Sequence, residues 1–281
     1  MSERIGIIGA GIMGSGIAQL AIQSGYQVTL TDASTQQLEL AVSKITTGLD
    51  IGVKRGFVEA SVRDMALNNL EITSRLDEVA QAPVIIENIW EDQSDKQRLF
   101  EELDRLSPEN SIFASNTSTL PITELARVTH RPARMLGMHF FNPPYAMQLV
   151  EVIKGYHTSD ETVDVIMELA RSMGRKPVLM KDSAGFVVNR LVAPFLNEAT
   201  FLLQEGLASK EDIDDCVRLG LNHPMGPFQL MDLVGLDVIL HEISTIFEKT
   251  GDSKYRPSQL LQTMVSAGQL GRKTGSGWYD Y

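Results

Sequence analysis

A single cysteine, Cys216, is all that 281 residues offer, so no internal disulfide can form and a reducing compartment is expected. A catalytic thiol is one reading of that residue, but its helical surroundings favour a small buried apolar side chain. No apolar run approaches the ~20 residues needed to cross a bilayer, so no helical membrane span is expected. The first strand-like segment begins within a few residues of Met1, so no leader is expected and a cytoplasmic setting is. Basic residues are scarce too: 25 Lys and Arg stand against 36 Asp and Glu, a formal net charge of −11. That balance argues against nucleic acid as a partner, because non-specific binding to it depends on a basic surface. A phosphorylated small molecule needs only a local basic patch. His130, His139, His157, His223 and His241 lack the spacing of zinc ligands, so no metal is expected. The remainder, 43% hydrophobic and 22% charged, is the composition of an ordinary globular chain of one or two domains.

Within that ordinary composition one pattern stands out. The apolar run Ile5-Gly-Ile-Ile8 leads into Gly9-x-Gly11-x-x-Gly14, with Ile12 and Met13 between the last two glycines. Asp32 then closes the segment Tyr26-Gln-Val-Thr-Leu30-Thr31, roughly 20 residues on, at the reach of a ribose diol. Strand, tight turn, helix, second strand and acidic stop form the dinucleotide-binding arrangement. Gly9 permits the turn, Gly11 lets backbone N–H groups approach a pyrophosphate, and Gly14 lets the helix lie close to the sheet. A carboxylate at position 32, with no basic neighbour, accepts hydrogen bonds from an unmodified ribose and repels a 2′-phosphate. NAD is therefore expected rather than NADP.

Strand patterns at 4–8, 27–31, 70–73, 84–89, 112–114, 135–140, 149–153 and 177–180 alternate with helical ones such as 12–24 and 93–106. Such alternation predicts a Rossmann-type, doubly wound and mainly parallel α/β sheet over residues 1–184. From about Ala184 only helical periodicity remains, over 187–204, 210–219, 228–249 and 258–267. A smaller all-helical domain, 185–281, is expected there, entered by a helix that begins near Gly185. A junction between two domains is a natural place for a substrate cleft.

Four segments carry chemistry. Met135-Leu-Gly-Met-His139 places a histidine where an apolar strand meets a loop, and Leu149-Val-Glu151-Val-Ile places a carboxylate inside another. A strand, a return and a second strand can join the two, giving an oriented general base near neutral pH; a structural histidine bonded to a carbonyl is the plainer alternative. Ser115-Asn116-Thr117-Ser118-Thr119 follows a strand at the sheet's carboxyl edge, where its hydroxyls and amide can hold a substrate oxygen or cap a helix near Pro121. Asn189, in Gly185-Phe-Val-Val-Asn189-Arg190, is expected one turn into the junction helix on the face of Gly185. Dehydrogenases of the 3-hydroxyisobutyrate and 6-phosphogluconate type carry a lysine one turn before such an Asn; Gly185 stands here, so a histidine-based mechanism is favoured.

These segments, in this order, with His223-Pro-Met-Gly-Pro227 and the terminal Gly271-Arg-Lys-Thr-Gly-Ser-Gly-Trp-Tyr-Asp-Tyr281, resemble the short-chain 3-hydroxyacyl-CoA dehydrogenase family, above all bacterial 3-hydroxybutyryl-CoA dehydrogenases. The resemblance implies that His139 is the general acid/base, Glu151 its orienting partner, and Ser118 and Asn189 ligands of the reacting oxygen. It places Asp32, Glu91, Lys96, Asn116, Asn142 and Lys273 among the NAD contacts, and Lys54 and Arg55 at the CoA nucleotide. It also implies a homodimer formed through the helical domain. The chain departs from the family at Gly48 and Ile51, where relatives offer Lys or Ser to CoA, and at Trp90, where smaller residues are usual. An acyl-carrier-protein thioester is therefore an alternative substrate to acyl-CoA, and a free hydroxyacid or sugar acid a further one.

Overall fold

Short apolar runs bounded by turns build the sheet. In the computed structural model, which describes residues 4–281, they form β1 (Arg4–Ile8), β2 (Gln27–Thr31), β3 (Leu70–Thr73), β4 (Val84–Glu87), β5 (Ile112–Ser115), β6 (Met135–Phe140), β7 (Leu149–Lys154) and β8 (Lys176–Lys181). Every residue of β4, β5 and β6 is buried, as strands covered by helices on both faces require. Strand order is β3-β2-β1-β4-β5-β6-β7-β8, and all neighbours run parallel except β6 and β7. The expected doubly wound, mainly parallel sheet is therefore present. Its order reverses between β1 and β4, the crevice where ligands of such sheets bind.

Helix α1 (Ile12–Gln23) buries nine consecutive residues, Gly14 to Ile22, because it packs against the sheet and against neighbouring helices at once. Helix α2 (Thr35–Lys54) buries Leu38, Ala41, Ile45 and Leu49, one stripe at the 3.6 period. The chain's internal contacts divide it into two compact units, Met1–Ser183 and Ala184–Tyr281.

The second unit is built from helices at Val188–Gln204, Lys210–Asp215, Pro227–Val234, Leu236–Thr250 and Gln259–Ser266 around Leu196, Phe228, Met231, Ile243, Leu261 and Trp278. Its terminal segment hangs on two buried carboxylates. Asp232 accepts from Trp278 N at 2.8 Å, Tyr279 N at 2.9 Å and Tyr281 Oη at 3.0 Å; Asp214 accepts from Phe228 N at 2.8 Å and Tyr279 Oη at 2.9 Å.

Four expectations are corrected. The strand at 84–89 stops at Glu87, because Asn88 N turns to Ile8 O and Ile89 N to the Glu87 side chain. The single helix at 228–249 is two, broken at Gly235, whose φ of 109° no continuing helix can accommodate. The helix at 210–219 widens into a π-turn at Cys216–Gly220, and Cys216 is exposed rather than buried, rotated away from the stripe that buries Ile213. The junction helix starts at Val188, not near Gly185. Gly185 and Phe186 have φ of 72° and 48° in the turn before it, so Asn189 is its second residue and Gly185 is not on its face.

Candidate active site

The glycine turn has three different glycines. Gly9 has a φ of 92°, and a Cβ there would lie 2.6 Å from Asn88 O. A Cβ on Gly14 would lie 1.7 Å from Gly9 O, so helix and turn touch as backbone. A Cβ on Gly11 would meet nothing within 4 Å. Chain packing therefore accounts for Gly9 and Gly14, whereas the space before Gly11 opens onto the uncapped N-terminus of α1, whose first N–H groups have no helical partner. Ile12, 65% exposed, and half-buried Met13 flank it. Asp32 braces the turn: Oδ2 accepts from Ala10 N at 2.8 Å and Oδ1 from Ser34 N at 2.9 Å. Each oxygen retains acceptor capacity for a hydroxyl.

On the other side of the switch point, β4 and β5 end in a buried polar network. Glu87 is fully buried; its carboxylate accepts from Lys96 Nζ at 2.5 Å and Ser115 Oγ at 2.6 Å. Glu91 Oε1 gathers Thr117 Oγ1 at 2.5 Å, Ser118 N at 2.8 Å and Thr119 N at 3.0 Å. Burial pushes the Glu91 carboxyl up, but the Lys96 ammonium and these hydrogen bonds outweigh it and hold the group below the ordinary range. Burial pulls Lys96 down, yet Glu87 and Glu91 together raise it.

Lys96 is therefore turned inward. It is 1% exposed, with its ammonium also 3.2 Å from Ile89 O and 3.4 Å from Glu91 Oε2, so its charge serves the two carboxylates and is not presented to a ligand at the surface. The hydroxyls of the 115–119 loop do not cap the following helix. Asp182 does, accepting from Ile122 N at 3.0 Å and Thr123 N at 2.7 Å.

Next in the sheet, β6 and β7 pair antiparallel with His139 directly opposite Glu151. Both are buried, and His139 Nδ1 lies 2.8 Å from Glu151 Oε2. Asn116 Oδ1 accepts from Phe140 N at 2.7 Å, tying the end of β5 to the residue after His139. Ser118, three residues past β5, and Asn142, exposed two residues past β6, lie at the same carboxyl edge.

A cleft of about 450 Å³ opens between α1, α2 and the loop after β6, with Gly16, Gln19, Gly48, Ile51, Pro144 and Tyr145 on its walls. Lys54 and Arg55, just beyond it, are exposed and enter no ion pair among the described residues. Trp90 is exposed as well. In the second unit, Asn189 is half-buried and Lys273 Nζ lies 2.5 Å from Asp237 Oδ1. Among the described residues no group of three His, Cys, Asp or Glu side chains could hold a metal ion. No described helix is long and apolar enough to cross a membrane.

Sequence reasoning missed Glu87 and Asp182. The available signal for Glu87 was a carboxylate ending the run Val84-Ile-Ile86, nine residues before a lysine in a helical pattern.

Comparison with known proteins follows this geometry. The profile of the 3-hydroxyacyl-CoA dehydrogenase NAD binding domain matches residues 4–183, and that of the 3-hydroxyacyl-CoA dehydrogenase C-terminal domain matches residues 185–281. The chain is 44% identical over 279 residues to a probable 3-hydroxybutyryl-CoA dehydrogenase of Bacillus subtilis, covering 99% of this chain and 97% of that one. It is 42% identical over 278 residues to the 3-hydroxybutyryl-CoA dehydrogenase of Clostridioides difficile, covering 99% of each. The crystal structure of (S)-3-hydroxybutyryl-CoA dehydrogenase from Ralstonia eutropha superposes with a TM-score of 0.96 at 41% identity, over 100% of this chain and 99% of that one.

Proposed function

Because the chain belongs to the 3-hydroxyacyl-CoA dehydrogenase family and carries its NAD-binding domain, we propose that it interconverts a short 3-hydroxyacyl-CoA and the 3-oxoacyl-CoA, with His139 as the general acid/base. The buried His139–Glu151 pair is the observation that supports this reading. Nδ1 is committed to Glu151, so Nε2 is the nitrogen that takes the proton of the 3-hydroxyl. Glu151 holds the ring in that tautomer and stabilises the imidazolium that forms. Bound NAD supplies the hydride acceptor. In the reverse direction the protonated ring returns its proton to the developing alkoxide.

Ser118 donates to the same oxygen, and Glu91 holds that residue's backbone in place. For Asn189, the second proposed ligand of the oxygen, support comes from the family resemblance alone. The open space before Gly11, the uncapped helix and the two braced oxygens of Asp32 fit a dinucleotide with an unmodified ribose. Asp32→Ala is expected to erode the preference for NAD over NADP at least tenfold, read as the ratio of kcat/KM values; an unaltered ratio would place the ribose elsewhere.

Oxidation of NADH by the purified protein with acetoacetyl-CoA tests the reading, alongside the same acyl group on an acyl carrier protein and free acetoacetate. Turnover on acetoacetyl-CoA is expected; activity on the free acid alone would sink it. A carrier-bound substrate is the second reading, favoured by uncharged Gly48 and Ile51 on the cleft wall and by Lys54 and Arg55, which suit an acidic carrier. Preference for the carrier would keep the chemistry and change the partner.

A cytoplasmic homodimer completes the proposal. The helical unit exposes Leu191, Leu207, Leu219, Leu221 and Leu233, apolar surface that a second copy would cover.

A further inference from the structure

We propose that Glu87 is a positioning residue that fixes the loop carrying Ser118; this rests on the role given to Ser118 above. Four donors converge on it. Glu87 Oε1 accepts from Lys96 Nζ at 2.5 Å and Ile89 N at 2.7 Å, Oε2 from Ser115 Oγ at 2.6 Å, and the main-chain oxygen from Asn116 N at 2.9 Å.

Two routes lead from there to Ser118. Ser115 Oγ, having donated to Glu87, accepts from Thr117 N at 3.3 Å. Lys96 Nζ lies 3.4 Å from Glu91 Oε2, and Glu91 Oε1 takes Ser118 N and Thr119 N. An apolar residue would continue the buried run Val84-Ile-Ile86 without desolvating a charge. The carboxylate instead accepts from Ser115 Oγ and Lys96 Nζ, the first members of both routes, as well as from Ile89 N. Misplacing a substrate-positioning group by about 1 Å costs on the order of 10²-fold in rate, so a residue acting at one remove can carry a large effect.

A double-mutant cycle separates positioning from mere structural support. Glu87→Gln retains the shape but removes the charge facing Lys96 and replaces one acceptor oxygen with an NH₂, so either Ser115 Oγ must accept where it donated or Lys96 and Ile89 N face a donor. It is expected to lower kcat roughly 10–100-fold with the KM for acetoacetyl-CoA little changed. In a Ser118→Ala background the same substitution should cost less than about threefold, because the group it positions is gone. Ser115→Ala cuts only the Glu87–Ser115–Thr117 route and should show the same pattern more mildly, which keeps the test open if Glu87→Gln folds poorly. Equal fold-losses in both backgrounds would overturn the inference while leaving Ser118 in its role. An unchanged kcat in Ser118→Ala alone would remove Ser118 from the reaction and the inference with it.

Discussion

His139→Gln is expected to lower kcat by roughly 10²–10⁴-fold, about 3–5 kcal/mol of transition-state stabilisation, while the Kd for NADH changes by less than about twofold. Glutamine fills much of the same volume and can hydrogen-bond Glu151, so the antiparallel β6–β7 pair keeps its register. What it lacks is a nitrogen that takes up and releases a proton near neutral pH. The residues proposed to face a dinucleotide, the Gly9–Gly14 turn and Asp32, lie from the end of β1 into α1 and just past β2, and make no use of the ring. Steady-state kinetics with acetoacetyl-CoA and a fluorescence titration with NADH give the two numbers. An unaltered kcat would remove His139 from the mechanism; an equal loss in NADH affinity would mean that the ring supports the cofactor instead. Glu151→Gln provides the companion measurement, since an amide leaves the ring in place but withdraws the charge that stabilises its protonated form.

Lys96→Met should have the largest effect on stability. The ammonium is buried between two carboxylates, and removing one partner of a buried ion pair costs about 3–5 kcal/mol because a charge is left without compensation. Here two are left. Urea unfolding should show that loss, and adding Glu87→Gln to Lys96→Met should restore part of it, since one stranded charge is then gone.

The pH dependence of the same loss has a definite sign. In the native chain the Glu91 carboxyl lies below its ordinary value of 4.5, so the folded state binds fewer protons there than the unfolded one. The stability it supplies is complete above that value and is lost as pH falls through the lowered one. Without Lys96, the burial that pushes the Glu91 carboxyl up is opposed only by its hydrogen bonds from Thr117, Ser118 and Thr119, so the carboxyl rises. Acidification toward pH 5 should then reduce the deficit of Lys96→Met relative to the native protein. A deficit that stays constant from pH 8 to pH 5 would show that the lysine contributes packing rather than charge.

The site was legible where function lies in local pattern. Gly9, Gly11, Gly14 and Asp32 sit at fixed offsets around one turn, where backbone contacts account for Gly9 and Gly14 and Gly11 faces open space. His139 and Glu151 were legible as a pair because two apolar strands with a short return between them form antiparallel neighbours. Glu87 was not. The spacing to Lys96 hints at an ion pair, but the proposed link to the Ser118 loop depends on β4 lying beside β5, a non-local fact. Gly235 was hidden for a different reason: it interrupts an apolar 3.6-residue pattern that continues with nearly the same phase on both sides, and only its positive φ reveals the break. Cys216 was misjudged because a π-turn shifts helical phase without altering the residues that form it.

The direct opposition of His139 and Glu151 across the one antiparallel pair constrains which length changes the gene can accept. β7 is also held by β8, along its whole length from Leu149↔Lys176 to Lys154↔Lys181. Codons gained or lost in the 141–148 return therefore leave the β6–β7 register alone, although they displace Asn142, Pro144 and Tyr145 at the cleft. If β7 keeps its start at Leu149, a one-codon deletion between Leu149 and Glu151 is different: it turns every following side chain of β7 to the other face and parts the acid from the imidazole. Removing a second codon returns the carboxylate to its face but two residues out of register with His139. With that start fixed, a length change of either parity inside the strand separates the pair.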